Sequence, residues 1–246
     1  MNTTSQQVAI VTGASRGIGA AIAERLAADG FTVIVNYSGN QALADQLVRK
    51  IEQKGGRALS AKADVSDAAA VAQLFDRAEQ AFGGVDILVN NAGVIALAPV
   101  AEMSDADVDR LIDINLKGTF NTLREAAKRL RDNGHIINFS SSVVGLLQPS
   151  YGMYAASKAA VEALTSVLAK ELRGRNITVN AIAPGPTATG LFLDGKTPEL
   201  IERLAKMAPL ERLGQPQDIA AAVSFLAGAD GAWINGQTLR ANGGII

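Results

Sequence analysis

Val8-Ala9-Ile10-Val11-Thr12-Gly13-Ala14-Ser15-Arg16-Gly17-Ile18-Gly19 is an apolar run that leads into three closely spaced glycines. The run Val8–Thr12 predicts a buried strand, and Gly17–Asp29 predicts a helix with one apolar face. Glycines at such a junction let the backbone approach a pyrophosphate, and the helix N-terminus attracts the anion. The spacing is G-x-x-x-G-x-G rather than G-x-G-x-x-G, and glycines alone also mark ordinary turns. Their place between strand and helix favours a dinucleotide-binding turn.

The alternation of strand and helix continues along the chain. Further strands are predicted at Thr32–Tyr37, Ala58–Ala63, Asp86–Asn90, His135–Ser140, Thr178–Ala183 and Gln237–Ala241. Further helices are predicted at Gln41–Gln53, Ala68–Phe82, Ala106–Leu130, Tyr151–Leu172 and Gln217–Ala227. This pattern is typical of a parallel sheet with helices on both faces. Because no linker divides the chain, we predict one α/β domain over residues 1–246, a Rossmann-type doubly wound sheet of about seven strands.

One long irregular segment, Pro184–Leu210, interrupts this alternation. Within it, Thr197 and Pro198 have the residue types of a helix N-cap and first turn, so a short helix is expected there. Long segments of this kind are commonly lids or binding loops. We predict a substrate lid over about residues 186–210, with an apolar underside formed by Leu191, Phe192, Leu193, Leu200, Leu204 and Met207. The alternative is packing of these side chains against a neighbouring helix.

Composition argues against several classes of protein. The net charge is −1 and no basic block is present, so no nucleic-acid partner is expected. No stretch reaches the roughly 18 apolar residues of a membrane span, and Met1–Gln7 lacks the basic and apolar regions of a signal peptide. The chain has no cysteine and one histidine, which predicts no metal site and fits a cytoplasmic protein. That residue, His135, begins an apolar strand and is interpreted as structural, which argues against a Ser-His-Asp hydrolase.

Tyr154 and Lys158 lie four residues apart in a predicted helix and therefore share one face. A free tyrosine has a pKa of roughly 10. A neighbouring ammonium favours the phenolate and lowers that pKa, which suits a general acid/base. The same spacing also occurs by chance on helix surfaces.

The second strand ends in Asn36-Tyr37-Ser38, without a carboxylate. In NAD-binding proteins an acidic residue at this point holds the ribose 2′-hydroxyl. The absence of the acid and the presence of Arg16 in the glycine turn favour the 2′-phosphate of NADP(H) over NAD(H). Otherwise, Arg16 is only a solvated loop residue.

Together these features resemble the short-chain dehydrogenase/reductase family over nearly the whole chain, from Val8 to Gly244. The matching motifs are Thr12–Gly19, Asp64-Val65, Asn90-Asn91-Ala92-Gly93, Asn115, Tyr154 with Lys158, Pro184-Gly185 and Asn242-Gly243-Gly244. In the last motif Asn242 replaces the usual Asp. The pattern is most similar to 3-oxoacyl-acyl-carrier-protein reductases and to carbonyl reductases.

The resemblance implies a catalytic set of Asn115, Ser141, Tyr154 and Lys158. Ser142 is an alternative to Ser141, because Ser142-Val143-Val144-Gly145 resembles a segment that often begins with the catalytic serine. The residues expected to bind the cofactor are Gly13, Ser15, Arg16, Gly17, Ile18, Gly19, Asn36, Tyr37, Ser38, Asp64, Val65, Asn91, Ala92, Gly93, Tyr154, Lys158, Pro184, Gly185, Thr187 and Thr189.

The resemblance also implies a mechanism. Ser141 and Tyr154 bind the substrate carbonyl, the nicotinamide supplies a hydride, and Tyr154 supplies the proton. Lys158 lowers the pKa of Tyr154 and binds the ribose, while Asn115 holds a water that relays protons. The expected reaction is the NADPH-dependent reduction of a carbonyl to a secondary alcohol. An oxidative alcohol or polyol dehydrogenase and a non-catalytic nucleotide sensor are the alternatives.

The substrate pocket is expected to be apolar and to lack a fixed charge. Its predicted walls are Val94, Ile95, Ala96, Leu97, Val143, Val144, Leu146, Leu147, Leu191 and Phe192. Such walls suit a small apolar carbonyl or an acyl thioester. An acidic carrier protein would need a basic pocket mouth, for which the candidates are Lys128, Arg129, Arg131, Arg173 and Arg175. The resemblance further implies a homotetramer, paired through the helices of Tyr154 and Asn115 and through the last helix and strand near Trp233.

Overall fold

A computed structural model describes residues 6–246, except the side chain of Leu191, so residues 1–5 of the Met1–Gln7 segment lie outside the described part. The strands are Val8–Val11 (β1), Thr32–Tyr37 (β2), Arg57–Lys62 (β3), Val85–Asn90 (β4), Leu130–Phe139 (β5), Thr178–Pro184 (β6) and Thr238–Ala241 (β7). The helices are Gly17–Ala28 (α1), Gln41–Gln53 (α2), Ala68–Phe82 (α3), Asp105–Leu111 (α4), Gly118–Arg129 (α5), Val143–Leu146 (α6), Gly152–Glu171 (α7), Gly190–Leu193 (α8), Pro198–Ala205 (α9) and Pro216–Ala227 (α10).

The seven strands form one parallel sheet in the order β3-β2-β1-β4-β5-β6-β7. The chain leaves β1 toward β2 on one side and later returns to β4 on the other side. This reversal opens a crevice at the carboxyl ends of β1 and β4, where ligands bind in such sheets. The predicted Rossmann-type doubly wound fold is confirmed.

Helices cover both faces of the sheet because its strands are apolar on both sides. Ala9 and Val11 of β1 belong to a core cluster shared with α1, α2 and α10. Val8 and Ile10 point to the opposite face and pack with α3, α5 and α7. Within residues 6–246, none of these helices combines the length and the hydropathy of a membrane span.

Three local features differ from the sequence prediction. A π-helical turn, Ile112–Lys117, interrupts the long helix predicted at Ala106–Leu130. β5 begins early because Leu130 pairs with Val85 ahead of a shift in register. The helices α6 and α8 have only four residues each, too few to produce a helical periodicity in the sequence. By contrast, α9 begins at Pro198 after a threonine N-cap, as predicted.

His135 lies at the amino ends of the strands, opposite the crevice. Its Nδ1 is 2.8 Å from Thr178 Oγ1, and burial lowers the pKa of the ring. A neutral, buried histidine at this edge cannot reach Ser141, which follows the far end of β5. The structure therefore agrees with a structural role for His135.

Candidate active site

The glycine turn between β1 and α1 has the form that an anion site requires. Gly13 and Gly17 have φ angles of 61° and 59°, which favour glycine. A Cβ on Gly19 would lie 2.5 Å from the side-chain nitrogen of Asn91, so only glycine fits there. α1 has neither a side-chain cap nor an acidic residue in its first turn, which leaves its N–H groups and positive dipole end to a phosphate. These features fit the pyrophosphate of a dinucleotide.

Asn36 holds this turn from behind, at the end of β2. Its side chain is buried, its Oδ1 accepts a hydrogen bond from Gly13 N at 3.2 Å, and its Nδ2 donates to the carbonyl oxygens of Ala61 and Ala63. The amide is therefore committed to the protein, and a contact of Asn36 with the cofactor stays a prediction for its backbone. The sequence signal for this role is a polar residue at the end of an apolar strand, since a buried amide needs partners.

A second set of hydrogen bonds ties the turn to the end of β4. Asn91 Nδ2 donates to the carbonyl oxygens of Thr12 at 2.9 Å and Gly13 at 3.1 Å. The Thr12 hydroxyl accepts from the Ala92 backbone N–H at 3.0 Å. Asn91 and Ala92 thus shape the crevice, and their contact with the cofactor stays a prediction. Thr12 shares this role, which the sequence analysis missed.

The adenosine end of the crevice carries fewer free side chains than predicted. Arg16 and Ser38 are exposed, and within the described residues Arg16 makes no ion pair. Tyr37, in contrast, is buried in the core cluster under α1 and α2, so its ring serves packing. Ser15 and Ile18 are half-buried in and just after the turn. Arg16 and Ser38 remain the side chains suited to a 2′-phosphate.

The Asp64-Val65 motif shapes the loop that follows β3. Asp64 is exposed, and its Oδ1 accepts from the backbone N–H of Ser66 at 2.9 Å and from the Ser66 hydroxyl at 2.7 Å. Val65 is buried and closely packed, since a Cβ on Gly118 would lie 2.6 Å from Val65 Cγ2. The motif thus joins β3 to the start of α5 at the edge of the crevice.

Lys158 is buried beneath the end of β5. It is 4% exposed, and its Nζ donates a hydrogen bond to the carbonyl oxygen of Phe139 at 2.9 Å. The same nitrogen lies 5.9 Å from the ring centroid of Tyr154, one helical turn earlier in α7. Burial lowers the pKa of Lys158 to about 8. Its ammonium can therefore exchange a proton close to neutral pH.

The Ser141 side chain lies close enough to the Tyr154 phenol to lower the pKa of that phenol. Burial raises the pKa of Tyr154, and the neighbouring Ser141 hydroxyl offsets only part of that rise. The net shift is thus opposite in direction to the lowering predicted from the neighbouring Lys158, because burial dominates and the ammonium donates its hydrogen bond to Phe139 O. At neutral pH, Tyr154 is a protonated phenol, the form that donates a proton.

The three consecutive serines after β5 have different surroundings. The Ser140 hydroxyl is buried and donates to Glu162 Oε1 at 2.5 Å. The Ser142 hydroxyl is buried and donates to the carbonyl oxygen of Ala183 at 3.4 Å. Of the three, only Ser141 is half-buried and lies close enough to Tyr154 to affect the pKa of the phenol. The geometry thus brings Ser141, rather than Ser142, to the phenol.

Asn115 lies in the π-helical turn and is fully buried. Its Oδ1 accepts from Val94 N at 2.8 Å, and its Nδ2 donates to Val94 O at 2.9 Å and to Ser157 Oγ at 3.3 Å. A Cβ on Gly93 would lie 3.3 Å from Asn115 Oδ1 and 3.5 Å from Lys158 Nζ, so these groups adjoin one another. Asn115 therefore fixes the loop after β4 beside Lys158. The proposed water relay stays a prediction.

The predicted lid segment begins beside the glycine turn. After Pro184-Gly185, Thr187 is buried, and its hydroxyl donates to Gly185 O at 2.9 Å. Thr187 therefore holds the loop, and its contact with the cofactor stays a prediction. A Cβ on Gly17 would lie 3.7 Å from the methyl carbon of Thr189, which places the start of the segment against the turn.

The basic residues considered for carrier-protein docking lie away from the crevice. α5 and α7 run antiparallel to the strands, so their last turns adjoin the amino ends of β5 and β6. Most of these cations already form ion pairs: Lys128 with Glu125, Arg129 with Asp76, Glu79 and Glu125, Arg131 with Asp86, and Arg175 with Asp132. Within one chain these residues do not line the mouth of the crevice, and their role in docking a carrier protein stays a prediction.

The loops that follow β4, β5 and β6 leave apolar side chains exposed at the carboxyl edge of the sheet. They come from the predicted walls and from the end of the lid segment: Ile95, Leu97, Leu147, Met207 and Leu210. A backbone hydrogen bond of 3.1 Å from Ala98 N to Ser150 O joins the first two loops. An apolar substrate fits this edge better than a charged one.

Comparison with known proteins bears on the family to which the chain belongs. A family model described as Enoyl-(Acyl carrier protein) reductase matches residues 13–246. A short-chain type dehydrogenase/reductase from Picea abies is 50% identical over 250 residues, covering 98% of this chain and 92% of the relative. The chain belongs to the short-chain dehydrogenase/reductase family. The resemblance found in the sequence is thus confirmed.

Two further similar proteins bear on the cofactor. The NADPH-dependent aldehyde reductase-like protein, chloroplastic, from Arabidopsis thaliana is 45% identical and covers 98% of this chain and 94% of the relative. The crystal structure of a short chain dehydrogenase from Burkholderia cenocepacia in complex with NADP matches with a TM-score of 0.92 and 38% identity, covering 98% of both chains.

Proposed function

We propose that this protein is an NADPH-dependent carbonyl reductase that converts a ketone or aldehyde into the corresponding alcohol. The observation that carries the proposal is the neighbouring hydroxyls of Ser141 and Tyr154 beside the buried Lys158, at the crevice that holds the glycine turn. A hydroxyl pair of this kind can bind one carbonyl oxygen from two sides.

The cofactor is NADP(H). The uncapped N-terminus of α1 suits its pyrophosphate, and the exposed guanidinium of Arg16 and hydroxyl of Ser38 suit its 2′-phosphate. When bound, the reduced nicotinamide supplies the hydride that the carbonyl carbon receives.

Four side chains of the site have separate roles in the reaction. Ser141 and Tyr154 donate hydrogen bonds to the substrate oxygen, and Tyr154 passes its proton to that oxygen as negative charge develops. The raised pKa of Tyr154 keeps the phenol protonated beforehand. Lys158, with a pKa of about 8, supplies a positive charge near the resulting phenolate and can exchange a proton at neutral pH. Asn115 holds the loop after β4, whose Gly93 lies beside Lys158 Nζ.

The substrate class follows from the exposed apolar side chains at the carboxyl edge. Ile95, Leu97 and Leu147 favour an aliphatic or aromatic carbonyl over a sugar phosphate or an amino acid. An acyl thioester is also compatible with an apolar wall. The ion-paired cations at the opposite edge give no support to docking of an acidic carrier protein through that surface.

A screen of NADPH oxidation tests the proposal. It should set aliphatic and aromatic aldehydes, aryl ketones, acetoacetate esters, a 3-oxoacyl thioester and sugars side by side. We expect turnover of the apolar carbonyls and none of the sugars. Faster oxidation of an alcohol or polyol with NADP⁺ than reduction of every carbonyl would instead favour the oxidative dehydrogenase.

We further propose a homotetramer. Large apolar side chains on two separate surfaces are exposed: Phe120 and Val167 on α5 and α7, and Phe225 and Trp233 on and after α10. Trp233 is 98% exposed, which is rare for a side chain that gains much from burial. Two such surfaces suit two different two-fold contacts. Light scattering should give four times the 25.5 kDa chain mass, and a monomer mass would contradict this proposal.

A further inference from the structure

The segment Asn242–Ile246 after β7 contacts three parts of the site. The Asn242 side-chain nitrogen donates a hydrogen bond to the Ser142 hydroxyl oxygen at 3.0 Å. A Cβ on Gly185 would lie 2.9 Å from Asn242 Cα, so Asn242 backs the Pro184-Gly185 loop. The Gly243 carbonyl oxygen accepts from Leu210 N at 3.3 Å, which ties the segment to the end of the predicted lid.

Ser142 is the junction through which this segment meets the reactive groups. Its backbone N–H donates to Pro184 O at 3.0 Å, and its hydroxyl donates to Ala183 O, so both bonds reach the end of β6. The hydroxyl oxygen is then free to accept from Asn242. Because Ser142 follows Ser141 directly, fixing Ser142 fixes the backbone that presents Ser141 to Tyr154.

Both the nitrogen and the oxygen of the Asn242 side-chain amide form hydrogen bonds. While Nδ2 donates to Ser142, Oδ1 accepts from Gly244 N at 3.0 Å. This second bond sets the direction of the side chain, since it closes a turn through two glycines with positive φ angles of 68° and 88°. The side chain therefore joins the turn after β7 to the loop after β5, 100 residues apart in sequence.

We propose that Asn242 is a positioning residue for Ser141: it holds Ser142 so that the Ser141 hydroxyl stays within hydrogen-bond reach of Tyr154. Asn242 touches neither substrate nor the reacting atoms in this scheme. The inference rests on the proposed carbonyl reductase activity, in which Ser141 binds the substrate oxygen.

Three substitutions separate hydrogen bonding from packing. Asn242→Leu keeps a similar volume but removes both bonds, and we expect kcat to fall about tenfold with a smaller change in KM, because misplacement of a positioned group acts on the transition state. Asn242→Ala should behave in the same way. Asn242→Asp should stay within about threefold of the wild-type kcat, because a carboxylate can accept from the Ser142 hydroxyl when the hydroxyl turns toward it.

A double-mutant cycle gives the readout that a merely structural role would not move. If Asn242 acts through Ser141, then Asn242→Leu should not lower kcat further in a Ser141→Ala background. The control is Asn176→Gly at the opposite edge of the sheet, which removes one side-chain hydrogen bond to Asn133 at a position of φ 53°. It should leave kcat unchanged. Circular dichroism, melting temperature and NADPH affinity should be recorded for every variant.

The outcomes are distinct. A wild-type kcat in Asn242→Leu, or a loss that multiplies with that of Ser141→Ala, would overturn the positioning role. A wild-type protein that reduces no carbonyl would instead overturn the proposed function. If Asn242→Leu fails to fold, the comparison of Asn242→Ala with Asn242→Asp decides between the same results.

Discussion

The Lys158 ammonium nitrogen lies 2.9 Å from the carbonyl oxygen of Phe139 and donates a hydrogen bond to it. This bond joins the helix that carries Tyr154 to the strand end that leads into Ser141. It also keeps a positive charge under the site, at the expense of burying that charge. The consequences can be measured in the behaviour of Lys158 itself.

Lys158→Met should be inactive yet more stable than the wild type near neutral pH. Burial lowers the pKa of Lys158 from 10.5 to about 8, so folding is penalised wherever the unfolded chain keeps the lysine protonated. Below about pH 8 the full penalty applies, which is at most about 3 kcal/mol, and between about pH 8 and 10.5 it fades as pH rises. Urea unfolding across this pH range measures the difference in unfolding free energy between Lys158→Met and the wild type. We expect this difference to shrink as pH rises, and a difference that grows with pH would contradict the prediction.

Tyr154→Phe should retain NADPH binding and lose about 10²–10⁴-fold in kcat, the usual contribution of a positioned acid. The substitution removes only the phenolic oxygen, so the packing of α7 should be kept. Titration of NADPH fluorescence and steady-state turnover are the two measurements. Tyr151→Phe, three residues earlier, is the matched control and should keep its turnover. Equal turnover of Tyr154→Phe and the wild type would remove Tyr154 as proton donor.

Arg16→Leu should weaken the binding of NADPH but not that of NADH. A guanidinium hydrogen bond to a phosphate contributes about 1.5–3 kcal/mol, so KM for NADPH should rise about ten- to a hundredfold while KM for NADH stays nearly constant. Arg77→Leu, on the exposed face of α3, is the control for loss of a surface charge. Equal losses for both cofactors would mean that Arg16 does not face the 2′-phosphate.

Asn36→Ala should both destabilise the fold and weaken the binding of NADPH. It leaves the N–H of Gly13 and the carbonyl oxygens of Ala61 and Ala63 without their side-chain partner, and each lost buried partner costs about 1–3 kcal/mol. Asn36→Asp keeps the acceptor for Gly13 but loses the donors. A melting temperature and an NADPH affinity unchanged in the alanine variant would show that the turn holds its shape without Asn36.

Much of the architecture could be predicted from the sequence, because the signals are local. Buried strands appear in the sequence as short apolar runs. The helix Gly17–Ala28 is indicated by apolar residues spaced along one helical face. The four-residue spacing of Tyr154 and Lys158 places both on one side of a helix wherever that helix lies. The π-helical turn around Asn115 has no such local signal, and the side chain of Asn115 bonds Val94, 21 residues away.

The amino-acid sequence alone thus determined the doubly wound fold, the glycine turn and the residue types of the site, since these depend on near neighbours in the chain. Only the tertiary structure decided which serine meets Tyr154, why Asn36 faces inward, and where the cations of α5 and α7 lie. It also decided that the Lys158 ammonium bonds Phe139, 19 residues away, and not its helical neighbour Tyr154. Hydrogen-bond partners and pKa values depend on burial and on groups distant in the chain, which no local pattern encodes.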